Sequence, residues 1–437
     1  MNTARKGRNK MKEFYEPMLY MSTPEHPNTM AIQITLKEPV DGEILQSVVE
    51  ELRVRFPYFY IKITAKDNDL FPIPNPLPMT VRNTWDPIDL NSEASNFHLA
   101  AWKYDGKRLA FEISHTLTDG AGTIPYIKST LYLYLSKKTG EAFDREGFRL
   151  PGDEIPESET GNPFAGLDID SAEEPLYLKP PIEDFYRLNP GEDHDPAITY
   201  IKLSESQLMQ YCRDFDGSPN AFITVLLARA IRRYDPESEK PISIAVAVDH
   251  KAMLGNHDNY RLFANVVVAD FPKNRSLSDL TKTCTMVRGQ IMLQAQPENS
   301  LWAMKQKKAL YAKLDPAPLD VKLNVISKAA GSPRWSVSVS YVSCRSLGPL
   351  DPFIDAMYAV AEPGVADVTC EITCINHQFF LSIGQTFSSE DFISVFLDEL
   401  ASVGIDYENI RKEPLRLCGL KKFSQTWEES NPDEKTL

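Results

Sequence analysis

Between residues 141 and 196 the chain loses the periodicity that a helix or a strand imposes. The stretch "EAFDREGFRLPGDEIPESETGNPFAGLDIDSAEEPLYLKPP" is acidic and rich in proline, with no repeating apolar spacing. Such a segment reads as a long, irregular, well-solvated crossover. It divides a chain of 437 residues, longer than one core usually spans, into two parts. The expected division is an N-terminal domain over 1–150, a linker over 151–196 and a C-terminal domain over 197–437.

Each part mixes strands with helices. "TMAIQITLKEP" is strand-like, and Asp41-Gly42 then opens "DGEILQSVVEELRVRF", whose apolar residues fall at helical spacing. "NFHLAAWKYDGKRLAFEISH" reads as a hairpin turning at Asp105-Gly106. "GTIPYIKSTLYLYLSKKTG" follows as a helix that Gly140 stops. Beyond the crossover, "AITYIKLS", "PISIAVAVDH", "RWSVSVSYVS", "DVTCEITCI" and "HQFFLSIGQTF" read as strands. "PNAFITVLLARAIRRY", "LSDLTKTCTMVRGQIMLQAQ", "SLWAMKQKKALYAKL" and "SSEDFISVFLDELASVGI" read as helices. The tail after about 413 is polar and reads as loose. Hairpin signals without strict strand–helix alternation predict an α+β, mixed-sheet architecture.

A net charge of −14 argues against nucleic acid as the main ligand, because a phosphate backbone needs a basic face. The basic opening "MNTARKGRNKMK" has no apolar run behind it, so it reads as a solvated terminus rather than a secretory signal. No apolar run approaches the ~18 residues that span a membrane. Cys370 and Cys374 alternate onto one strand face with no histidine nearby, and read as buried free thiols rather than metal ligands. A reducing cytoplasm fits this cysteine usage.

Several familiar sites are missing. There is no Gly-x-Ser-x-Gly elbow, no phosphate loop ending in Gly-Lys-Ser/Thr and no third glycine to complete a dinucleotide fingerprint. His250 and His257 do not have the i,i+4 spacing of a helical metal pair, so no metal is expected. What remains is "FEISHTLTDGAG", with His115, Asp119 and Gly120 where a strand gives way to a helix. A histidine just past a strand end can present its imidazole to a cleft, and its pKa near ~6.5 suits proton transfer. The same string also fits a plain strand-to-helix turn, with Asp119 as the helix cap. The residues alone leave both readings open.

The segment "FEISHTLTDGAGTIPYIKSTLYLYL" resembles the signature region of the CoA-dependent acyltransferase superfamily, which includes chloramphenicol acetyltransferase and condensation domains. Within it the chain looks most like the alcohol acetyltransferase-like proteins. "KEPVDGEILQSVVEELRVRFPYF", "PIEDFYRL", "PISIAVAVDHKAMLGNHDNYRLFANVVV" and "SVSYVSCRSLGPL" extend weaker similarity along most of the chain. The resemblance implies two chloramphenicol acetyltransferase-like domains with an active-site tunnel at their interface. His115 would be the general base, and Asp119 and Gly120 would hold its loop. Lys251 and Arg261 are the cations proposed to pair with Asp119. Ser338 and Ser340, on one face of "WSVSVSYVS", are the proposed oxyanion or tunnel donors; the same face also fits a solvated outer surface.

By this resemblance no cofactor is permanently bound. Acyl-CoA is a co-substrate, and a small alcohol or amine accepts a short acyl group. Ser114 stands where condensation domains usually carry a second histidine, which points away from peptide-bond formation. Two alternatives stand beside this reading: an acyl carrier protein as donor, and a relative that keeps the fold without turnover.

Overall fold

The computed structural model describes residues 19–421 apart from positions 25, 67, 165, 190, 192, 252–254, 256, 263, 331, 332, 343 and 345. The first part of the chain contributes β1 (Thr29–Leu36), helix α1 (Gly42–Leu52), β2 (Ile61–Lys66), β3 (Asp69–Pro74), β4 (Val81–Asn83), β5 (Ala100–Asp105), β6 (Arg108–Ser114) and helix α2 (Gly120–Thr139). After the crossover come β7 (Ala197–Ser204), α3 (Glu205–Asp214), α4 (Pro219–Tyr234), β8 (Ile242–Asp249), β9 (Ala264–Phe271), α5 (Leu280–Gln294), α6 (Pro297–Leu314) and α7 (Leu319–Ala330). The last elements are β10 (Trp335–Val342), β11 (Ile354–Ala361), β12 (Ala366–Ile375), β13 (Gln378–Gln385), α8 (Asp391–Ser402) and β14 (Tyr407–Pro414). This is the mixed α/β architecture expected from the sequence.

Local chemistry sets the element ends. The Asp41 carboxylate accepts the N–H groups of Glu43 and Ile44 and so starts α1, whose Leu45, Val48, Val49 and Leu52 are buried. Gly140 takes a left-handed φ of 75° and donates its N–H to Ser136 O, which ends α2. Between α1, α2 and the sheet, the rings of Phe56, Phe59, Trp102, Phe111 and Tyr126 pack edge-on or tilted.

The strands form two large sheets, in the orders β11-β1-β6-β5-β4 and β14-β7-β13-β12-β10-β8-β9. Sheet membership does not follow the division of the sequence. β11 lies beyond residue 197, yet it pairs antiparallel with β1, from Met30↔Ala361 to Thr35↔Ala356. It also crosses the second sheet: Thr373 Oγ1 donates to Met357 O, and Ser382 Oγ donates to Ala359 O. β11 therefore clasps the two halves together.

This clasp explains why every residue of β12 is buried. Cys370, Ile372 and Cys374 face the apolar core under α4, α5 and α8. Thr369, Glu371 and Thr373 alternate to the opposite face, toward β11.

Two expectations need correction. The crossover is not solvated throughout, because Glu159, in a single helical turn (Glu157–Thr160), is buried at 1% exposure. It accepts from Arg55 at 2.6 and 2.8 Å, from Tyr58, and pairs with Arg149 at 2.8 Å. Burial pushes its carboxyl up, but Arg55, Tyr58 and Arg149 together hold it below the usual carboxylate range. The tail is also fastened as far as residue 421. Leu420 bridges Leu90, and the Cys418 carbonyl accepts from Thr29 Oγ1 at 3.0 Å. Residues 1–18, with the basic opening stretch, and 422–437 lie outside the described residues. No described helix is long and apolar enough to cross a membrane.

Glu159→Ala leaves the Arg55 guanidinium buried without its acceptor, and is expected to cost about 3–5 kcal/mol in urea denaturation. Asp170→Ala, which breaks an exposed pair with Lys308, is expected to cost under ~1 kcal/mol. Equal losses would contradict the anchoring role of the crossover.

Candidate active site

β6 runs antiparallel to β1 as far as the Thr29↔Ser114 pair, so His115 is the first residue beyond that ladder. Its N–H donates to Asn28 O at 2.9 Å, which pins the backbone of the loop. Its half-buried ring places Nδ1 3.1 Å from Thr118 O. A carbonyl only accepts, so Nδ1 carries the proton and Nε2 is left with its lone pair. Burial pushes the His115 pKa below its ordinary value, while Thr118 O and the Asp119 charge act in the opposite direction. The ring is thus a neutral base near pH 7.

The loop after His115 is held largely from the other half of the chain. Asp119 caps α2, with Oδ1 accepting Gly122 N–H at 2.7 Å. The same oxygen lies 2.6 Å from Lys251 Nζ, and both side chains are buried. Thr118 Oγ1 donates to Tyr260 O at 2.5 Å. A Cβ on Gly120 would come within 2.7 Å of Val342 Cγ2, and one on Gly122 would overlap Tyr260 O. Both glycines thus allow the loop to touch the second half at van der Waals distance.

The remaining sequence-derived residues fall into two groups. Of the two cations proposed for Asp119, Lys251 stands at ion-pair distance. Arg261 donates from Nη2 to Thr160 O at 3.3 Å and lies over the Tyr260 ring. Ser338 and Ser340 are half-buried on the face of β10 opposite Val337 and Val339, which enter the helix-covered core. Ser338 Oγ donates to Thr369 Oγ1 at 3.3 Å, and Ser340 bonds Glu371. Their face is therefore turned toward the other half of the chain rather than outward. Ser114 bonds Thr116 at 2.9 Å.

Sequence reasoning did not single out Tyr260, Val342, Glu362 or Glu371. A glutamate in the middle of the apolar run "VTCEITC" was the available signal for the last of these. An open depression of about 510 Å³ along β7 and β14, lined in part by Lys202, Gln207 and Glu408, shares no residue with the His115 loop.

No family model matches the sequence, and neither does any curated protein. Solved structures do match by shape. Polyketide synthase associated protein 5 from Mycobacterium tuberculosis aligns over 86% of this chain and 93% of its own, with TM-score 0.58 at 14% identity. F. graminearum TRI101, complexed with coenzyme A and T-2 mycotoxin, aligns over 91% of this chain and 98% of its own, with TM-score 0.56 at 15% identity. The epimerization domain from the third module of tyrocidine synthetase B aligns over 87% and 91%, with TM-score 0.55 at 12% identity.

The chain has the chloramphenicol acetyltransferase-like fold. At these identities the likeness concerns the fold alone. Within the two-domain chloramphenicol acetyltransferase-like arrangement, the His115 loop stands where the two halves meet, held by Lys251, Tyr260 and Val342 of the second half.

The His115 ring is expected to titrate below ~6.5, with the proton of the neutral form on Nδ1. A lowered folded pKa means that the unfolded chain binds more protons near that pH. The ring's contribution to stability is therefore full above ~6.5 and shrinks as the pH falls below it. Nitrogen-15 histidine NMR reads both midpoint and tautomer, and a midpoint above ~6.5 or an Nε2–H neutral form would contradict this geometry.

Proposed function

We propose that the chain transfers an acyl group from a CoA thioester to an alcohol or amine, with His115 as general base. The observation that carries this reading is the Nδ1 contact to Thr118 O, which leaves Nε2 as a proton acceptor at the meeting of the two halves. His115 Nε2 takes the proton of the acceptor's hydroxyl or amine as that oxygen or nitrogen attacks the thioester carbonyl. The tetrahedral intermediate collapses, its C–S bond breaks, and the departing thiolate takes the proton from the imidazolium. No covalent acyl-enzyme is needed. Of the two serines, Ser338 supplies the hydroxyl for the oxyanion, Ser340 lines the tunnel with its hydroxyl on Glu371, and Asp119 with Gly120 keeps the loop in place rather than relaying charge.

Coenzyme A as the donor is supported by the TRI101 complexes, which hold CoA with T-2 mycotoxin or deoxynivalenol, and by the similar fold of a trichothecene 15-O-acetyltransferase. A carrier-protein thioester is the second reading. It is favoured by similarity to a polyketide synthase condensation domain and to a polyketide synthase associated protein. Six buried free cysteines suit a reducing compartment such as the cytoplasm.

Thiol release from acetyl-CoA, followed across a panel of alcohols and amines, tests the assignment. His115→Ala is expected to lower turnover by at least ~10²-fold without unfolding the protein. Equal turnover by the two proteins would remove His115 from the chemistry.

A further inference from the structure

Among the described residues, every buried aspartate and glutamate but one stands in an ion pair. Glu112 with Lys103, Asp119 with Lys251, Glu159 with Arg55, Asp367 with Arg187 and Glu399 with Arg229 show the pattern, and Asp69 and Asp270 follow it with Lys322 and Lys179. That is the ordinary rule, since a buried charge is costly unless a counter-charge accompanies it. The exception is Glu371. No described lysine or arginine pairs with it, and its hydrogen-bonding partner is the Ser340 hydroxyl. Burial pushes its carboxyl up to about 7. It keeps 8% of its surface exposed, against 0% for Thr373 two residues on along the same face.

Its position makes the exception informative. The ladders place Glu371 opposite Ser340 of β10 and Ser382 of β13, on the face that β11 crosses. Val342, two residues beyond Ser340 on the same face of β10, abuts Gly120 of the His115 loop. Glu371 and Ser340 thus lie ~7 Å along the strands from that loop contact. A second carboxyl stands nearby: Glu362, one residue past β11, accepts the N–H of Asn28, whose carbonyl receives the His115 N–H. Glu362 also has no ion pair with a described residue, and burial pushes it up to about 7.

We propose that Glu371 with Ser340 forms an acceptor subsite for an ammonium group, so that the missing cation is supplied by the substrate. This rests on the acyltransferase reading and narrows its acceptor class to amino alcohols and diamines. One nitrogen, charged, is held at Glu371. A second group, a neutral hydroxyl or amine, is the nucleophile that His115 deprotonates. When the ammonium binds above pH 7, the ionised Glu371 accepts from it, and Ser340 keeps its bond to the second carboxylate oxygen. The net charge of −14 draws cationic acceptors toward the protein.

Calorimetric binding at pH 8, with no acyl donor present, separates this proposal from the reading it rests on. The probes are 1,5-diaminopentane and 1,5-pentanediol, matched in length. The wild-type protein is expected to bind the diamine at least ~10-fold more tightly than the diol. Glu371→Gln and Glu371→Met are expected to lose that preference and to melt no lower than wild type, since each removes a buried group without a cation. His115→Ala is expected to keep the preference, so a failure of the general-base assignment would show in turnover but not in this titration. Equal or undetectable binding of the two probes by wild type overturns the proposal. So does a preference that survives in Glu371→Gln. Loss of the fold in both Glu371 variants would make the residue structural, and would overturn it as well.

Discussion

The ion pair between Asp119 and Lys251 joins the two halves of the chain at the His115 loop, where the proposed proton transfer sits. Desolvating two charges is expensive, and their mutual attraction alone rarely offsets that cost. Here the carboxylate gains two further contributions: the Gly122 N–H and the positive end of a twenty-residue helix. The pair therefore does more than hold two surfaces together. It fixes the start of α2, and with it the loop whose Thr118 carbonyl sets the tautomer of His115. The two glycines and the Tyr260 carbonyl depend on the same contact, because they fit only when the loop is pressed against the second half.

The clasp strand β11 provides the wider frame. By completing the first sheet while lying on the polar face of the second, it buries that face without making it apolar. Threonine and serine hydroxyls there donate to β11 carbonyls, so the buried polar groups are satisfied across the junction. The buried acids show how consistently the fold matches charge. Glu159 gathers two arginines and a tyrosine, and Glu399 gathers two arginines. Against this background Glu371, without a described lysine or arginine beside it, is the exception on which the proposed acceptor subsite rests.

Much of the fold was legible in local sequence. Asp41 and Asp119 as caps, Gly140 as a stop and the Asp105-Gly106 turn all act through groups a few residues apart. The His115 loop could be picked out for the same reason. What could not be read is non-local. The run "IDAMYAVA" says nothing of which sheet it joins, because that depends on an edge hydrogen-bonding to β1 more than three hundred residues away in the sequence. Glu159 looks like any other acid in a solvated stretch until Arg55 and Arg149 are placed around it. Helices α3 and α7 do carry apolar stripes, Leu208 and Cys212 in one and Leu319, Leu323 and Ile326 in the other, and the sequence reading passed over both. Glu371 went unremarked beside Cys370 and Cys374, and its lack of a cationic partner among the described residues emerges only in the folded chain.

The claim that the Asp119–Lys251 pair works as one unit, to position His115, is tested most directly by a double-mutant cycle on kcat/KM with Asp119→Asn and Lys251→Met. Each single variant is expected to lower kcat/KM by at least ~10²-fold, and the double variant to fall no further than the worse of the two, because one contact has been removed in every case. Losses that multiply in the double variant would contradict the account: the two residues would then act independently, and the pair would not be what holds His115 in place.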